Sequence, residues 1–132
     1  MNFNLAKSMA FSSLGTLCLL AAGCGDDRAV IWQAHIKSPD GHYQVNAATI
    51  QQSGPGNAAL YTEVKLSQRD GEAGFDILDL SHNDESELAG GPVTMTWVNN
   101  TTLRLEYNPV SRVDFLAVRS GIVNIQSSPR SR

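Results

Sequence analysis

From Arg28 onward, apolar and polar side chains alternate with a period of two, in short runs separated by turn-forming sequence. The clearest run is "AALYTEVKLSQ" (58–68), which sets Leu60, Thr62, Val64 and Leu66 against Tyr61, Glu63, Lys65 and Ser67. "HYQVNAATIQQ" (42–52) places Tyr43, Val45, Ala47 and Thr49 on one face. "GFDILDLSH" (74–82) predicts a strand with Phe75 and Ile77 inward, joined by Leu78 and Leu80. "RVDFLAVRS" (112–120) reads as one strand with Val113, Phe115 and Ala117 on its inner side. "RAVIWQAHIK" (28–37), "VTMTWV" (93–98), "TLRLEYN" (102–108) and "GIVNIQS" (121–127) complete the set. The breaks between them carry turn chemistry. "SPDG" (38–41) has Pro39 to pre-set φ and Gly41 free to take a positive one. "SGPGN" (53–57) cannot continue a strand, and Asp70-Gly71 within "RDGE" (69–72) is a hairpin signal. "NNT" (99–101) is a tight turn. "NDESELAGGP" (83–92) reads as an exposed loop with room for one helical turn at 85–89.

No segment beyond Asp27 holds a helical period over a dozen residues. The pattern therefore predicts an all-β domain, an antiparallel sandwich or small open barrel of seven or eight short strands. It spans 28–127, with 128–132 as a flexible tail. "HIKSPDGHYQVNA" and "TWVNNTTLRLEY" both run strand, polar turn, strand, and each resembles half a blade of the propeller repeats that carry "SPDG". Two such units cannot make a propeller, which needs at least about four blades. The chain is also similar to a loose set of short bacterial proteins with an early "SPDG" and a later Trp-x-Asn-Asn-x-x-Leu-x-x-x-Tyr, here Trp97 to Tyr107. That resemblance implies a β-rich domain and brings no activity with it.

The amino terminus follows a different pattern. In "MNFNLAKSMAFSSLGTLCLLAAGC" the only charged side chain is Lys7, and Met9 to Ala22 carries none. That stretch would make roughly 21 Å of helix, short of the ~20 residues a bilayer span needs. A positive start, a brief apolar core and a small-residue exit describe a secretory signal peptide. The exit, "LAAGC" (20–24), resembles the lipobox of bacterial lipoproteins: Ala22 and Gly23 match its small positions and Cys24 its modified residue. Ala21 stands where the family prefers Leu, and Leu20 lies one step further back. The resemblance implies a diacylglycerol thioether on Cys24, cleavage before it, and acylation of the new amino terminus. Residues 1–23 are then the leader and 24–27 a lipidated terminus and short tether. Gly25 in place of Asp implies the outer membrane rather than the inner, with the domain facing the periplasm. Two other fates remain open to Cys24. Ordinary cleavage would leave a free thiol, which in an oxidising compartment invites unwanted pairing, and a disulfide would need Cys18 from the leader.

The whole chain has a net charge of −3, and removal of the leader takes Lys7 but no acid. An acidic domain without a Lys/Arg cluster excludes nucleic acid as the expected partner and leaves membrane contact to the lipid. The 109 residues from Cys24 onward suit one domain that buries its own core without disulfides.

Candidate chemistry is sparse. No G-x-S-x-G elbow, phosphate cradle or redox motif occurs, and no cofactor is expected. "LDLSHNDESE" gathers Asp79, His82, Asp84, Glu85 and Glu87 within nine residues, oxygen ligands and one imidazole that suit a divalent cation. The calcium-loop and H-E-x-x-H spacings are absent, and a solvated acidic loop is the ordinary account of those residues. Asp40 and His42 read as a turn cap and an exposed strand start. Trp32, Tyr43, Tyr61, Trp97, Tyr107 and Phe115 sit at period-two positions, which favours packing over a ligand groove. The expected function is a membrane-anchored binding or scaffolding domain with an envelope protein as partner. The alternative is a small metal-dependent or hydrolytic enzyme built on the 79–87 loop.

Overall fold

A computed structural model describes residues 27–68 and 72–131; the leader, Cys24 and the Asp70-Gly71 turn lie outside them. Nine strands form: β1 (Asp27–Lys37), β2 (Gln44–Ser53), β3 (Ala59–Ser67), β4 (Phe75–Ser81), β5 (Val93–Asn99), β6 (Thr102–Tyr107), β7 (Arg112–Leu116), β8 (Arg119–Ser120) and β9 (Val123–Pro129). Among the described residues the only helical element is a 3₁₀ turn at Glu85–Leu88, capped by the Asp84 carboxylate accepting from Ser86 N. The strands make two sheets, ordered β1-β2-β3-β4-β7 and β5-β6-β9-β8. All pairs are antiparallel except β6 with β9, which run parallel. The fold is an all-β sandwich.

The alternation places the core. Val45, Ala47 and Thr49 of β2, Thr62, Val64 and Leu66 of β3, and Leu78 and Leu80 of β4 are buried on the inner face of the first sheet. They meet Val93, Leu103, Leu105, Val123 and Ile125 of the second. Two threonines within that layer satisfy each other, Thr49 and Thr62 sharing a hydroxyl hydrogen bond of 2.7 Å.

The structure departs from the sequence pattern at four places. Residues 112–120 form two strands in different sheets, because the chain crosses between layers at Ala117, whose N–H donates to Ile77 O at 2.9 Å. That split brings the strands among the described residues to nine, one more than the expected run of about seven or eight. Val113 and Phe115 are exposed: Val113 lies opposite inward-facing Leu80 on an edge strand, whereas the extra residue Asp114 turns Phe115 to the outer face, opposite Asp79. Phe75 is also exposed. Val64 pairs with Leu78 and Lys65 with Asp76, so Ile77 is an extra residue in a bulge that turns both Ile77 and Leu78 inward. Phe75 stays opposite inward-facing Leu66, yet is 74% exposed because the second sheet does not reach over it. Finally, β9 runs on to Pro129, and Arg130 Nη2 reaches Gly91 O and Thr94 Oγ1 at 3.2 and 3.0 Å. The expected tail is thus ordered strand and anchor up to Arg130.

Edge strands are interrupted. Ile31 in β1, Val98 in β5 and Asp114 in β7 are each the extra residue of a register shift, and β8 has two residues. Bulged and very short edges resist open-ended pairing with other chains.

Candidate binding site at the far end of the sandwich

β1 begins where Asp27 pairs with Ser53 and ends where Lys37 pairs with Gln44. Eleven strand residues span roughly 33 Å, so the sandwich has two well-separated ends. At the end where β1 begins lie the 53–58 and 82–92 loops; at the far end lie 38–43, Gln68, Glu72–Phe75, 99–101 and 117–122.

The far end opens into two adjoining hollows. One, of about 250 Å³, lies where the sheets part and is lined by Tyr43, Leu66, Phe75, Ala73 and the facing Ser120 and Gly121. The other, of about 350 Å³, is bounded by Asp40, His42, Asn100, Thr101 and Ile122. Tyr43 and Gln68 line both, so the two form one bent cleft. Its apolar side comes from two inner-face positions at the end of the first sheet: Phe75, opposite Leu66, and Tyr43, just before β2. The Tyr43 ring lies against Trp97, centroids 6.2 Å apart and planes tilted by 30°.

The polar side is built by the "SPDGH" turn. Gly41 takes φ +74° there, as the turn requires. Asp40 accepts from Ser38 Oγ at 2.6 Å and from His42 N at 3.1 Å, and its second oxygen lies 3.0 Å from His42 Nδ1. These hydrogen bonds, the one to His42 first, hold the Asp40 carboxyl down at about 2. The Asp40 N–H in turn donates to Asn100 Oδ1 at 3.0 Å, tying the first sheet's turn to the second sheet's across the cleft. His42 thus presents Nε2 outward on a ring oriented by a carboxylate. Turn cap and exposed strand start describe both residues; the ring contact between them was not legible, since spacing says nothing of side-chain direction. Phe75 and Ile122 were missed as site residues because each belongs by period or flank to a strand.

The acidic segment does not assemble. Asp79 lies on the outer face of the first sheet beside Glu63, Asp76 and Asp114. Burial first, and then Asp76 and Glu63, push its carboxyl above the usual range. Asp84 is used as the turn cap, which lowers its carboxyl, and Glu85 is exposed, 3.5 Å from Gln51 Nε2. His82 and Glu87 turn inward. Among the described residues no three His, Cys, Asp or Glu side chains are placed to share a metal ion.

What His82 makes instead is a buried polar chain. Its fully buried ring lies 2.7 Å from Thr62 Oγ1 through Nε2, and 3.0 Å from Ser111 Oγ and 3.7 Å from Glu87 Oε2 through Nδ1. Asn83 Nδ2 donates to Glu87 Oε1 at 2.7 Å, and Asn108 Nδ2 to Glu87 O at 2.7 Å. Hydroxyl, imidazole and carboxylate in a row have the order of a nucleophile–base–acid set. Thr62 is wholly buried and Ser111 nearly so, so the two hydroxyls serve the interior. The row binds three segments together: the β3 core, the 3₁₀ loop and the 108–111 turn. No protein-family model, no curated protein and no solved structure matches the chain.

Proposed function

We propose that the protein is a lipid-anchored binding domain of the bacterial envelope, held to the outer membrane by acyl chains on Cys24 and facing the periplasm. "LAAGC" and the charge-free stretch before it support the anchor. The observation that carries the binding half is polarity of placement. Only Gly25 and Asp26 separate Cys24 from β1, a tether of at most about 10 Å. The end where β1 starts is then held at the lipid surface, and the cleft opens at the opposite end, a strand-length away. A tethered binder needs that arrangement. Recognition falls to the loop end rather than the edges, since bulges interrupt the longer edge strands. The partner is a protein of the envelope.

Mass spectrometry of the mature amino-terminal peptide tests the anchor. A diacylglyceryl, acylated Cys24 is expected, lost in Cys24→Ser; an unmodified Cys24 or another first residue overturns it. Site-specific photo-crosslinkers at Ile122 and at Gly54 test the binding end in cells. Adducts at 122 and none at 54 are expected, and the reverse distribution rules the loop end out.

A further inference from the structure

We infer that the outer face of the first sheet, at the end where β1 begins, seats on the lipid surface through Val30, Ile31, Ile50 and Tyr61. The sandwich then leans on the bilayer instead of swinging from its tether. The inference rests on the anchored reading above and adds a second, non-covalent contact with the same membrane.

The bulge in β1 makes the seat. Ile31 is its extra residue, so Trp32 pairs with buried Thr49 while Val30 pairs with outward-facing Ile50. Ile50 pairs in turn with Tyr61, and the three form one cross-strand row on the solvent side of β1, β2 and β3. Val30 and Ile31 are 60% and 40% exposed, and Ile50 and Tyr61 are half-buried. Scattered apolar side chains are ordinary on a protein surface; a contiguous row confined to one end is not. The row ends at Ser81 and Arg112, whose guanidinium is paired with Asp114 at 2.8 Å. Away from the anchor the same face turns polar. The next row brings Glu63 and Asp79 together, and the one after it His35, Asn46, Lys65 and Asp76. The second sheet's outer face is polar even at the anchored end, where Thr94 lies opposite Glu106 and Glu106 opposite Ser128.

Chain length selects lipid as the occupant. Cys24 precedes Val30 by six residues, at most about 20 Å, so acyl chains on Cys24 keep the row within reach of the surface. Apolar faces of interfacial elements enter the headgroup boundary by ~5–10 Å. Tyrosine suits that depth, having an apolar ring and a hydroxyl that stays wet. Between row and anchor stand Asp27 and Arg28, whose opposite charges match a zwitterionic headgroup layer. Glu63 and Asp79 stop the contact at the next row, because a carboxylate is costly to bury.

The test uses the isotope-labelled protein with its own lipids on Cys24, reconstituted in nanodiscs of phosphatidylcholine doped with a gadolinium-chelating lipid. Paramagnetic enhancement of amide relaxation reports which face lies nearer the bilayer. Enhancements at Val30, Ile50 and Tyr61 are expected to exceed at least threefold those at Thr94, Glu106 and Ser128, which occupy the other face at the same end. Val30→Asp should level the two sets, whereas Ser128→Asp should leave the difference standing. Both positions are exposed, and far-ultraviolet circular dichroism verifies that the variants fold. Equal enhancement on the two faces, a larger one on the second sheet, or a difference that survives Val30→Asp overturns the inference. Any of these in a chain whose Cys24 carries lipid fails the lean alone. A Cys24 found without lipid fails the anchor, and the seat with it.

Discussion

His82 shows how one side chain ties distant segments together and what that tie costs. A neutral imidazole has one donor and one acceptor nitrogen, so it can serve Thr62 on one side and Ser111 on the other. Protonation makes both nitrogens donors and puts a charge in a wholly buried ring. Burial therefore holds the imidazole below its usual 6.5, and the nearby Glu87 carboxylate only partly offsets that. The sign follows directly. The unfolded chain takes up a proton on this ring as pH falls through about 6.5, and the folded chain does so only at lower pH. Stability from His82 is therefore complete above that value and lost below it. Urea midpoints should fall between pH 7.5 and pH 5.5, and His82→Asn should flatten that slope while lowering the starting point. A parent midpoint that stays level across the interval contradicts this. Asp79, raised by burial and its acidic neighbours, titrates with the opposite sign, and the variant comparison separates the two.

At the scale of elements, β3 and β4 are joined so closely at one end that only glycine fits. A Cβ on Gly74 would meet Lys65 Cβ at 2.8 Å and Leu66 O at 3.1 Å. Because much of that contact is backbone of a paired strand, relief would have to move β4 away from β3. Gly74→Ala is expected to destabilise by about 1–3 kcal/mol, the usual cost of overpacking, and to appear as a lowered midpoint in thermal melts. An unchanged midpoint would show that the strands can separate there without loss. This region also marks the limit of what the pattern conveyed. Strand positions were legible nearly throughout, since alternation and turn residues are local: β2, β3, β5 and β6 fall within a residue or two of the expected runs. Bulges were not, because one extra residue leaves composition unchanged while reversing every side chain beyond it. The extra residue Ile77 put Phe75 on the same face as Leu78 and Leu80, where a strict alternation separates them. The crossing at Ala117 was hidden for a related reason: "RVDFLAVRS" alternates straight through a change of sheet. The candidate site was hardly legible, since it is made where four loops meet that are distant in sequence.

For the molecule as a whole, the two ends divide the work. The end where β1 begins holds the buried polar chain, the capped acidic loop and a shallow polar hollow of about 450 Å³ lined by residues of the 51–60 and 82–85 segments. The other end holds the uncovered apolar surface and the oriented Asp40–His42 pair. Bulged edges between them resist open-ended strand pairing with other chains. Sequence separation matters as well. β9 does not close the margin of its sheet but fills the slot between β6 and β8, and contributes Val123 and Ile125 to the core. Parallel pairing of this kind, made across twenty-odd residues, is slow to form compared with a hairpin. During synthesis, then, the meander β1 to β4 can collapse early, whereas its companion layer must wait for nearly the final residues to emerge. A nascent chain in that half-finished condition leaves the inner face of its first sheet uncovered. Stopping translation after Ile122 should freeze it there, protease-sensitive and binding hydrophobic dyes, and a compact, resistant product from such a shortened chain would refute that order of events.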